Sequence, residues 1–176
     1  MQSFDEAGTR LSWIHPDPTL RQFTLRSSAG DDMATLQWQK SEGSLATAET
    51  SNSNWTLKRT GFQRPHITAR VAGQSVDAAT FELGMGGAGT VRLQSGYVFR
   101  WSSNLWRSEW SWQNASGADA IVMRREFAMT RREGVVEIVP DAIPPREVPL
   151  LVVLGWYIVI LLAEDPAVGY AITHPS

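Results

Sequence analysis

Two clusters of basic residues form the part of the sequence best suited to binding an anion. Between Glu49 and Asp77 there is no carboxylate, and the basic residues are Lys58, Arg59, Arg64, His66 and Arg70. A second segment, "MRREFAMTRRE", supplies Arg124, Arg125, Arg131 and Arg132 across a predicted hairpin. Guanidinium groups form forked, charge-assisted hydrogen bonds with phosphate oxygens. The candidate ligand-binding residues are therefore Lys58, Arg59, Arg70, Arg124, Arg125, Arg131 and Arg132.

A simpler interpretation of both clusters stays open. Charged side chains on the outer faces of strands are commonly solvated, and they also discourage association between sheet edges. The sequence does not separate this role from a binding role, so an anionic phospholipid headgroup, a membrane surface or a protein partner is an expectation. Because the formal net charge of the chain is −2, we expect no general attraction to nucleic acid or to acidic lipid, and any such attraction must come from a local patch.

The segment "GMGGAG" matches the spacing of a dinucleotide-binding loop through Gly84, Gly86 and Gly89. That chemistry requires a helix directly after the glycines, so that the phosphates lie at its N-terminus. The sequence continues instead with "TVRLQ", which is typical of a strand. We therefore predict a flexible hairpin turn here.

The residue types that usually carry catalysis are sparse. His15, His66 and His174 are far apart, and their spacing resembles no known metal motif. The chain has no cysteine and no Gly-x-Ser-x-Gly motif. The sequence predicts no enzyme, no metal and no cofactor, with an enzyme site at one mouth of a barrel as the weakest alternative.

Most of the chain shows the alternation of apolar and polar residues that is typical of half-buried antiparallel strands. Between about Arg10 and Pro140, turn-forming clusters divide this pattern into about ten to twelve strands. In "WRSEWSW" the alternation predicts that Trp106, Trp110 and Trp112 share one face. The tryptophans are expected to fill a large core.

After Pro140 the pattern changes to a continuous apolar run, "PLLVVLGWYIVILLA", which predicts a helix over 149–163. A helix that is apolar on all sides must be enclosed by protein or by lipid. A closed barrel of about twelve strands is too wide for its own side chains to fill, and a helix would occupy the space. Gly155 is expected to let a large tryptophan of the wall approach the helix closely.

The alternative is that 149–163 crosses a membrane. Fifteen residues give a helix of roughly 22 Å, whereas a bilayer core is about 30 Å thick. Trp156 and Tyr157 lie in the middle of the run, and membrane spans usually carry such residues at the interfaces. The enclosed helix therefore explains the pattern better.

The strand-rich chain, the late segment "YVFRWSSNLWRSEWSWQNASG" and the terminal "PLLVVLGWYIVILL" helix together resemble the tubby-like superfamily. That group contains the tubby C-terminal domain, the phospholipid scramblases and the LURP-one-related proteins. The resemblance extends from about Arg21 to Ala163 and implies a twelve-stranded barrel around a hydrophobic helix. Scramblases also carry palmitoylated cysteines and an acidic calcium-binding segment, and this sequence has no cysteine and no comparable acidic cluster near the helix.

The sequence thus predicts one mainly β domain over 1–176, with strands over about 10–140, the helix over 149–163 and a tail over 164–176. The expected function is a non-enzymatic binding or scaffold domain, and the first alternative is a scramblase-like membrane protein that handles lipid. The absence of cysteines and of a secretion-signal pattern at the start predicts a cytoplasmic protein, peripheral to a membrane if it binds lipid.

Overall fold

A closed antiparallel β-barrel with a helix along its centre forms the molecule. The computed structural model describes residues 1–6, 8–61, 65–128 and 131–164. The strands are β1 (Arg10–Ile14), β2 (Gln22–Ser27), β3 (Asp32–Trp38), β4 (Ala46–Thr50), β5 (Asn54–Thr60), β6 (His66–Val71), β7 (Asp77–Leu83), β8 (Gly89–Leu93), β9 (Val98–Ser103), β10 (Glu109–Gln113), β11 (Asp119–Ala128) and β12 (Arg131–Ile138). The helix is α1 (Val148–Glu164).

Each strand pairs with the next one along the chain, and β1 closes the barrel by pairing with β12. At this closure Leu11 lies opposite Val136 and Trp13 lies opposite Gly134. Closing the sheet removes the free strand edges that would otherwise be open to association. The predicted fold, a closed antiparallel barrel of about twelve strands around a hydrophobic C-terminal helix, is confirmed.

In the described part of the chain, 3₁₀ turns lie before β1 at Phe4–Glu6 and in the connections at Met85–Gly87, Pro140–Ala142 and Pro145–Glu147. The turn at Met85–Gly87 lies in the glycine-rich segment and joins β7 to β8, as the hairpin prediction requires. Gly86 and Gly87 have φ angles of 73° and 83°, which residues with a Cβ rarely adopt. This turn therefore uses its glycines for backbone conformation.

The centre of the barrel is filled by α1, whose bounds agree with the predicted range 149–163 to within one residue at each end. Every residue of the helix from Leu150 to Leu161 is buried. The helix with its preceding turn, Pro145–Glu164, is long and apolar enough to cross a membrane. However, 78% of an apolar 18-residue segment within this range is buried inside the protein. The barrel wall thus provides the apolar surroundings that the sequence requires.

Two aromatic residues in the middle of the helix stack on aromatic residues of the wall. The rings of Trp156 and Trp13 are nearly parallel, with centroids 5.9 Å apart, and those of Tyr157 and Trp38 are 5.3 Å apart. Such pairs contribute about 0.5–1.5 kcal/mol each beyond the area that they bury. This packing explains why the two residues occupy the middle of the apolar run.

Glycines allow wall and helix to approach each other in two places. A Cβ on Gly134 of β12 would lie 2.5 Å from the ring of Trp156, and one on Gly155 of α1 would lie 2.9 Å from the indole nitrogen of Trp112. Gly134 therefore makes room for Trp156, and Gly155 makes room for both Met123 and Trp112 of the wall. The prediction that Gly155 faces a wall tryptophan is confirmed.

Candidate functional site: the helix-exit mouth

One end of the barrel, where α1 ends, brings together several arginines, and we call it the helix-exit mouth. It is bordered by the described loops 15–21, 39–45, 84–88 and 104–108. A pocket of about 600 Å³ opens here between the end of the helix and the barrel wall. The residues that line it are Arg21, Ser41, Glu42, Gly43, Ser44, Arg59, Thr60, Gly61, Leu161 and Glu164.

Arg21 connects the end of the helix to the loop 39–45. Its guanidinium group donates hydrogen bonds to the carbonyl oxygens of Ser41, at 3.2 Å, and Gly43, at 3.0 Å. The same group forms an ion pair with Glu164 and lies over the ring of Trp38, 4.7 Å from its centroid. Arg21 therefore fixes one border of the pocket while it contributes a positive charge.

Glu164 ends the helix and accepts hydrogen bonds from both Arg21 and Arg132. A helix C-terminus carries a partial negative charge, which nearby cations stabilise. The positive charges of the two arginines thus offset both the partial negative charge of the helix C-terminus and the charge of the Glu164 carboxylate. An oxyanion that entered this mouth would meet the same guanidinium groups.

Arg125 and Arg132 point toward the lumen because of their positions in β11 and β12. Arg125 faces inward, because it follows the buried Met123 by two residues in the strand. Gly134 lies opposite Arg125 in the register and faces inward with it. Burial lowers the pKa of Arg125, and the nearby charge of Arg132 lowers it further. The mouth therefore holds two arginines close enough to repel each other.

A second, smaller pocket of about 230 Å³ lies on the side of the mouth next to Arg125. It is lined by Gly87, Ser103, Trp106, Arg107, Trp110, Arg125, Leu162 and Ala163. Arg107 donates a hydrogen bond to the carbonyl oxygen of Gly86 at 3.3 Å, which ties the loop 104–108 to the loop 84–88. Aromatic and cationic side chains thus lie side by side here.

The prediction for Trp106 is wrong. Trp110 and Trp112 lie in β10 and are buried, as expected, but Trp106 lies in the loop 104–108 and is exposed. The β9 strand ends at Ser103 and β10 begins only at Glu109, so the alternation of "WRSEWSW" does not extend back to Trp106. Turn geometry decides the position of this side chain.

The structure divides each basic cluster between the two faces of the sheet. Adjacent residues of a strand face opposite sides of a sheet, so Lys58 and Arg124 face outward while Arg59 and Arg125 face the lumen. Of the remaining predicted residues, Arg70 faces outward and Arg132 faces the helix-exit mouth. Arg64 and the side chain of Arg131 lie outside the described residues.

The outward members of the first cluster line a groove of about 540 Å³ along β5 and β6. Lys58 lies there between threonines, while Nε2 of His66 is 2.7 Å from the hydroxyl of Thr60. Arg70 is already paired with Asp77 at 2.9 Å. This groove therefore offers Lys58 as a cation, with Arg70 largely neutralised.

Arg124 is held on the outer wall by two carboxylates. Its guanidinium group lies 2.6 Å from Glu109 and 2.9 Å from Glu137. Hydrogen bonds to both carboxylates raise the pKa of Arg124. This arginine is neutralised by its neighbours and is a weak candidate for contact with an external anion.

At this end of the barrel, the described carboxylates of β10, β11 and β12 lie on the outer wall. Glu109 lies opposite Arg124, and Glu126 lies opposite Glu133, on the outward faces of β10, β11 and β12. The inward arginines are Arg59, Arg125 and Arg132, and Arg21 reaches the same mouth from the loop 15–21. The interior of the mouth is thus cationic while its outer wall carries both signs.

The structure describes no metal centre and no obvious catalytic group of histidines. Among the described residues, no three His, Asp or Glu side chains lie close enough to hold a metal ion. Nε2 of His15 is 2.7 Å from the carbonyl oxygen of Leu20, and its ring stacks on Phe23. His15 therefore serves the packing of the loop 15–21.

The sequence did not point to Arg21, Arg107 or Glu164 as members of the site. Arg107 has a φ of 50°, a left-handed conformation that sequence alternation does not reveal. Arg21 and Glu164 are 143 residues apart in the chain, so only the closed barrel brings them together. What the arrangement can do chemically is to bind oxyanions through guanidinium groups and nearby hydroxyls.

Fold and site together define a helix-plugged β-barrel with a cationic mouth. The protein is similar to the X-ray structure of the protein AT5G01750 from Arabidopsis thaliana, with a TM-score of 0.52 and 14% sequence identity. The match covers 84% of this chain and 90% of that one, and at this identity it shows the fold alone. No family model matches the sequence. No curated protein matches it at a significant level.

Proposed function

We propose that this chain is a non-enzymatic binding domain whose helix-exit mouth receives an anionic phospholipid headgroup. The observation that carries the proposal is the convergence of Arg21, Arg59, Arg125 and Arg132 on the mouth, where Arg21 and Arg132 share the single carboxylate of Glu164. The described carboxylates that line its pockets are Glu42 and Glu164. Several guanidinium groups around one opening suit the phosphate groups of a lipid headgroup.

The distribution of charge along the barrel axis supports an end-on approach. At the opposite end, the described carboxylates are Asp5, Asp31, Asp32, Glu49, Asp77, Asp119, Glu137, Asp141 and Glu147. The arginines there are fewer: Arg10, Arg26, Arg70, Arg92 and Arg146. The helix-exit end is more nearly balanced, because its described carboxylates are Asp17, Glu42, Glu82, Glu109, Glu126, Glu133 and Glu164 and its described basic residues are Arg21, Lys40, Lys58, Arg59, Arg107, Arg124, Arg125 and Arg132. An anionic surface would therefore repel the opposite end more strongly than the helix-exit end. The proposal places the protein in the cytoplasm, at the periphery of a membrane.

The tubby-like resemblance agrees with a barrel that serves binding, although fold likeness alone does not assign a ligand. The scramblase-like alternative would need α1 to leave the barrel and cross the bilayer. That move would expose wall residues such as Trp13 and Trp112, which are fully buried against the helix. The enclosed helix therefore favours peripheral binding over a membrane span.

The direct test is sedimentation with phospholipid vesicles. We expect the protein to pellet with phosphatidylcholine vesicles that contain phosphatidylserine or a phosphoinositide, and to stay in solution with phosphatidylcholine alone. Raising the salt concentration should weaken the binding, because exposed charges are screened within about 10 Å at about 0.1 M salt. If the protein stays in solution with every anionic vesicle tested at low salt, the proposal is wrong.

A further inference from the structure

An exposed Leu–Trp pair stands at the border of the helix-exit mouth. Leu105 is 94% exposed and Trp106 is 86% exposed, whereas the other seven tryptophans of the chain are each at most 6% exposed. A protein that buries its other tryptophans this completely gains nothing in its own stability from leaving one in water. The pair therefore suggests a contact outside the chain.

The turn that carries the pair is held in place by its neighbours. The backbone N–H of Arg107 donates to the carbonyl oxygen of Asn104 at 3.1 Å, so Leu105 and Trp106 occupy the two central positions of the turn. The side-chain oxygen of Asn104 accepts the backbone N–H of Ser108 at 3.0 Å. Arg107 adopts a left-handed φ of 50°, which surrounding contacts must maintain. The two apolar side chains are thus presented by a preformed turn.

The topology places this turn next to the inward arginines. Around the barrel, the paired strands β11 and β12 lie between β10, which follows the loop 104–108, and β1, which precedes the loop 15–21. Leu20 in the loop 15–21 is also exposed, at 51%. Apolar tips therefore stand on either side of the hairpin that carries Arg125 and Arg132.

We propose that Leu105 and Trp106 enter the interfacial layer of an anionic bilayer when the helix-exit mouth binds headgroups. This inference rests on the proposed function and specifies the partner as an intact bilayer surface. Tryptophan favours the boundary between headgroups and acyl chains. Arginines beside it meet the phosphates of the same layer.

The arrangement fits a bilayer better than it fits a protein partner. Stable protein interfaces bury a continuous patch of about 800 Å² on each side, whereas here two apolar tips are separated by a charged hairpin. Apolar side chains on two separate loops of one barrel end can both contact a bilayer, because its surface is flat and fluid. The opposite end also exposes apolar side chains, but it lies among carboxylates that an anionic bilayer repels. Those side chains are Met1, Val76, Tyr97, Val98 and Val139.

The absence of cysteine makes a site-specific test possible. We would introduce Leu105→Cys as the single cysteine and label it with a fluorophore sensitive to polarity. The matched control is Ser95→Cys, an exposed position in the turn between β8 and β9 at the opposite end. With vesicles of phosphatidylcholine and phosphatidylserine, we expect a blue shift and protection from iodide at position 105 and no change at position 95.

Sedimentation of the same samples separates the two proposals. If the protein pellets with anionic vesicles while the probe at position 105 stays in water, the insertion is wrong and headgroup binding stands. If the protein pellets neither with anionic vesicles nor with phosphatidylcholine vesicles, both proposals are wrong. A contact of Leu105 and Trp106 with a protein partner would then be the remaining explanation of their exposure. Equal blue shifts at positions 105 and 95 would also overturn the inference, because they would show that both ends of the barrel contact the bilayer equally.

A second comparison uses unlabelled protein. The double variant Leu105→Ser, Trp106→Ser should bind anionic vesicles roughly ten- to a hundredfold more weakly, since two apolar side chains no longer leave water. Val139→Ser, an exposed apolar residue of the opposite end, should bind as the native chain does. The urea midpoint of the double variant should be unchanged, because neither side chain is buried in the protein. Unchanged vesicle affinity of the double variant would overturn the inference.

Discussion

Trp112 of the barrel wall donates its indole N–H to the backbone carbonyl of Leu151 in the central helix, at 2.9 Å. Gly155 lies four residues further along the helix, and a Cβ at this position would lie 2.9 Å from the same indole nitrogen. Glycine therefore leaves the carbonyl of Leu151 open to the wall. This contact adds a directional bond within the apolar packing at the centre of the barrel.

The Trp112 hydrogen bond should be measurable by comparison with a wall tryptophan whose indole N–H has no partner among the described residues. Trp13 is such a residue, and it is equally buried. Trp112→Phe should reduce the free energy of unfolding by about 1 kcal/mol more than Trp13→Phe does. Urea unfolding followed by circular dichroism gives both values. Equal losses would show that the bond to Leu151 contributes nothing.

The contact between Gly134 and Trp156 predicts a second effect on stability. A Cβ at position 134 would lie 2.5 Å from the ring of Trp156, so Gly134→Ala should destabilise the protein by about 1–3 kcal/mol through overpacking. Adding Trp156→Phe shortens the side chain that clashes with the new Cβ. In this background, Gly134→Ala should therefore reduce the free energy of unfolding by less. Thermal or urea unfolding of the four chains in this cycle measures the coupling. Strictly additive effects would contradict the contact.

Tyr157 should make stability depend on alkaline pH. Burial raises the pKa of Tyr157, more than hydrogen bonding with the side chain of Ser44 and the backbone of Arg59, and the nearby charges of Arg21 and Arg59, lower it. In the unfolded chain the hydroxyl ionises near its ordinary value of about 10. The unfolded state therefore loses this proton first, and the free energy of unfolding falls as the pH rises past that value.

Tyr157→Phe removes this ionisation and provides the comparison. Between about pH 9 and about pH 11, the native chain should lose roughly 1 kcal/mol more stability than Tyr157→Phe does. The variant should be less stable at neutral pH, because the carbonyl of Ser44 loses a donor. Urea unfolding at several pH values measures both effects. Parallel pH profiles would mean that Tyr157 ionises equally in the folded and unfolded chain.

The fold was largely predictable because its two determinants are local patterns. Alternation such as Trp55 and Leu57 against Thr56 and Lys58 specifies a strand with one buried face. The run at 149–163 has no polar face, and only an enclosed position satisfies it. The closed barrel then follows because a helix of this kind needs a wall on all sides.

The division of the arginines between the two faces was also present in the sequence, although the cluster prediction did not use it. Arg124 and Arg125 are adjacent in one strand, so they face opposite sides of the sheet. Arg59 follows the buried Leu57 by two residues, which places it on the lumen side. Strand geometry thus separates arginines that are neighbours in the chain.

Other parts of the site depend on the closed structure or on loop geometry. Arg21 meets Glu164 only because β2 and the end of α1 reach the same mouth. Trp106 is exposed because the turn 104–107 ends the alternation before β10 begins. Neither feature has a periodic signal in the sequence.

The most direct test of the account compares two double variants in vesicle binding. Arg59→Gln with Arg125→Gln removes two charges from the helix-exit mouth, and Arg70→Gln with Arg124→Gln removes two charges from the outer wall. We expect the mouth variant to bind phosphatidylserine-containing vesicles roughly ten- to thirtyfold more weakly, since each basic residue contributes about 1 kcal/mol. The outer-wall variant should stay within about twofold of the native chain, because Asp77 and Glu109 already neutralise its arginines. Equal losses in the two variants, or a loss confined to the outer-wall variant, would contradict a binding site in the mouth.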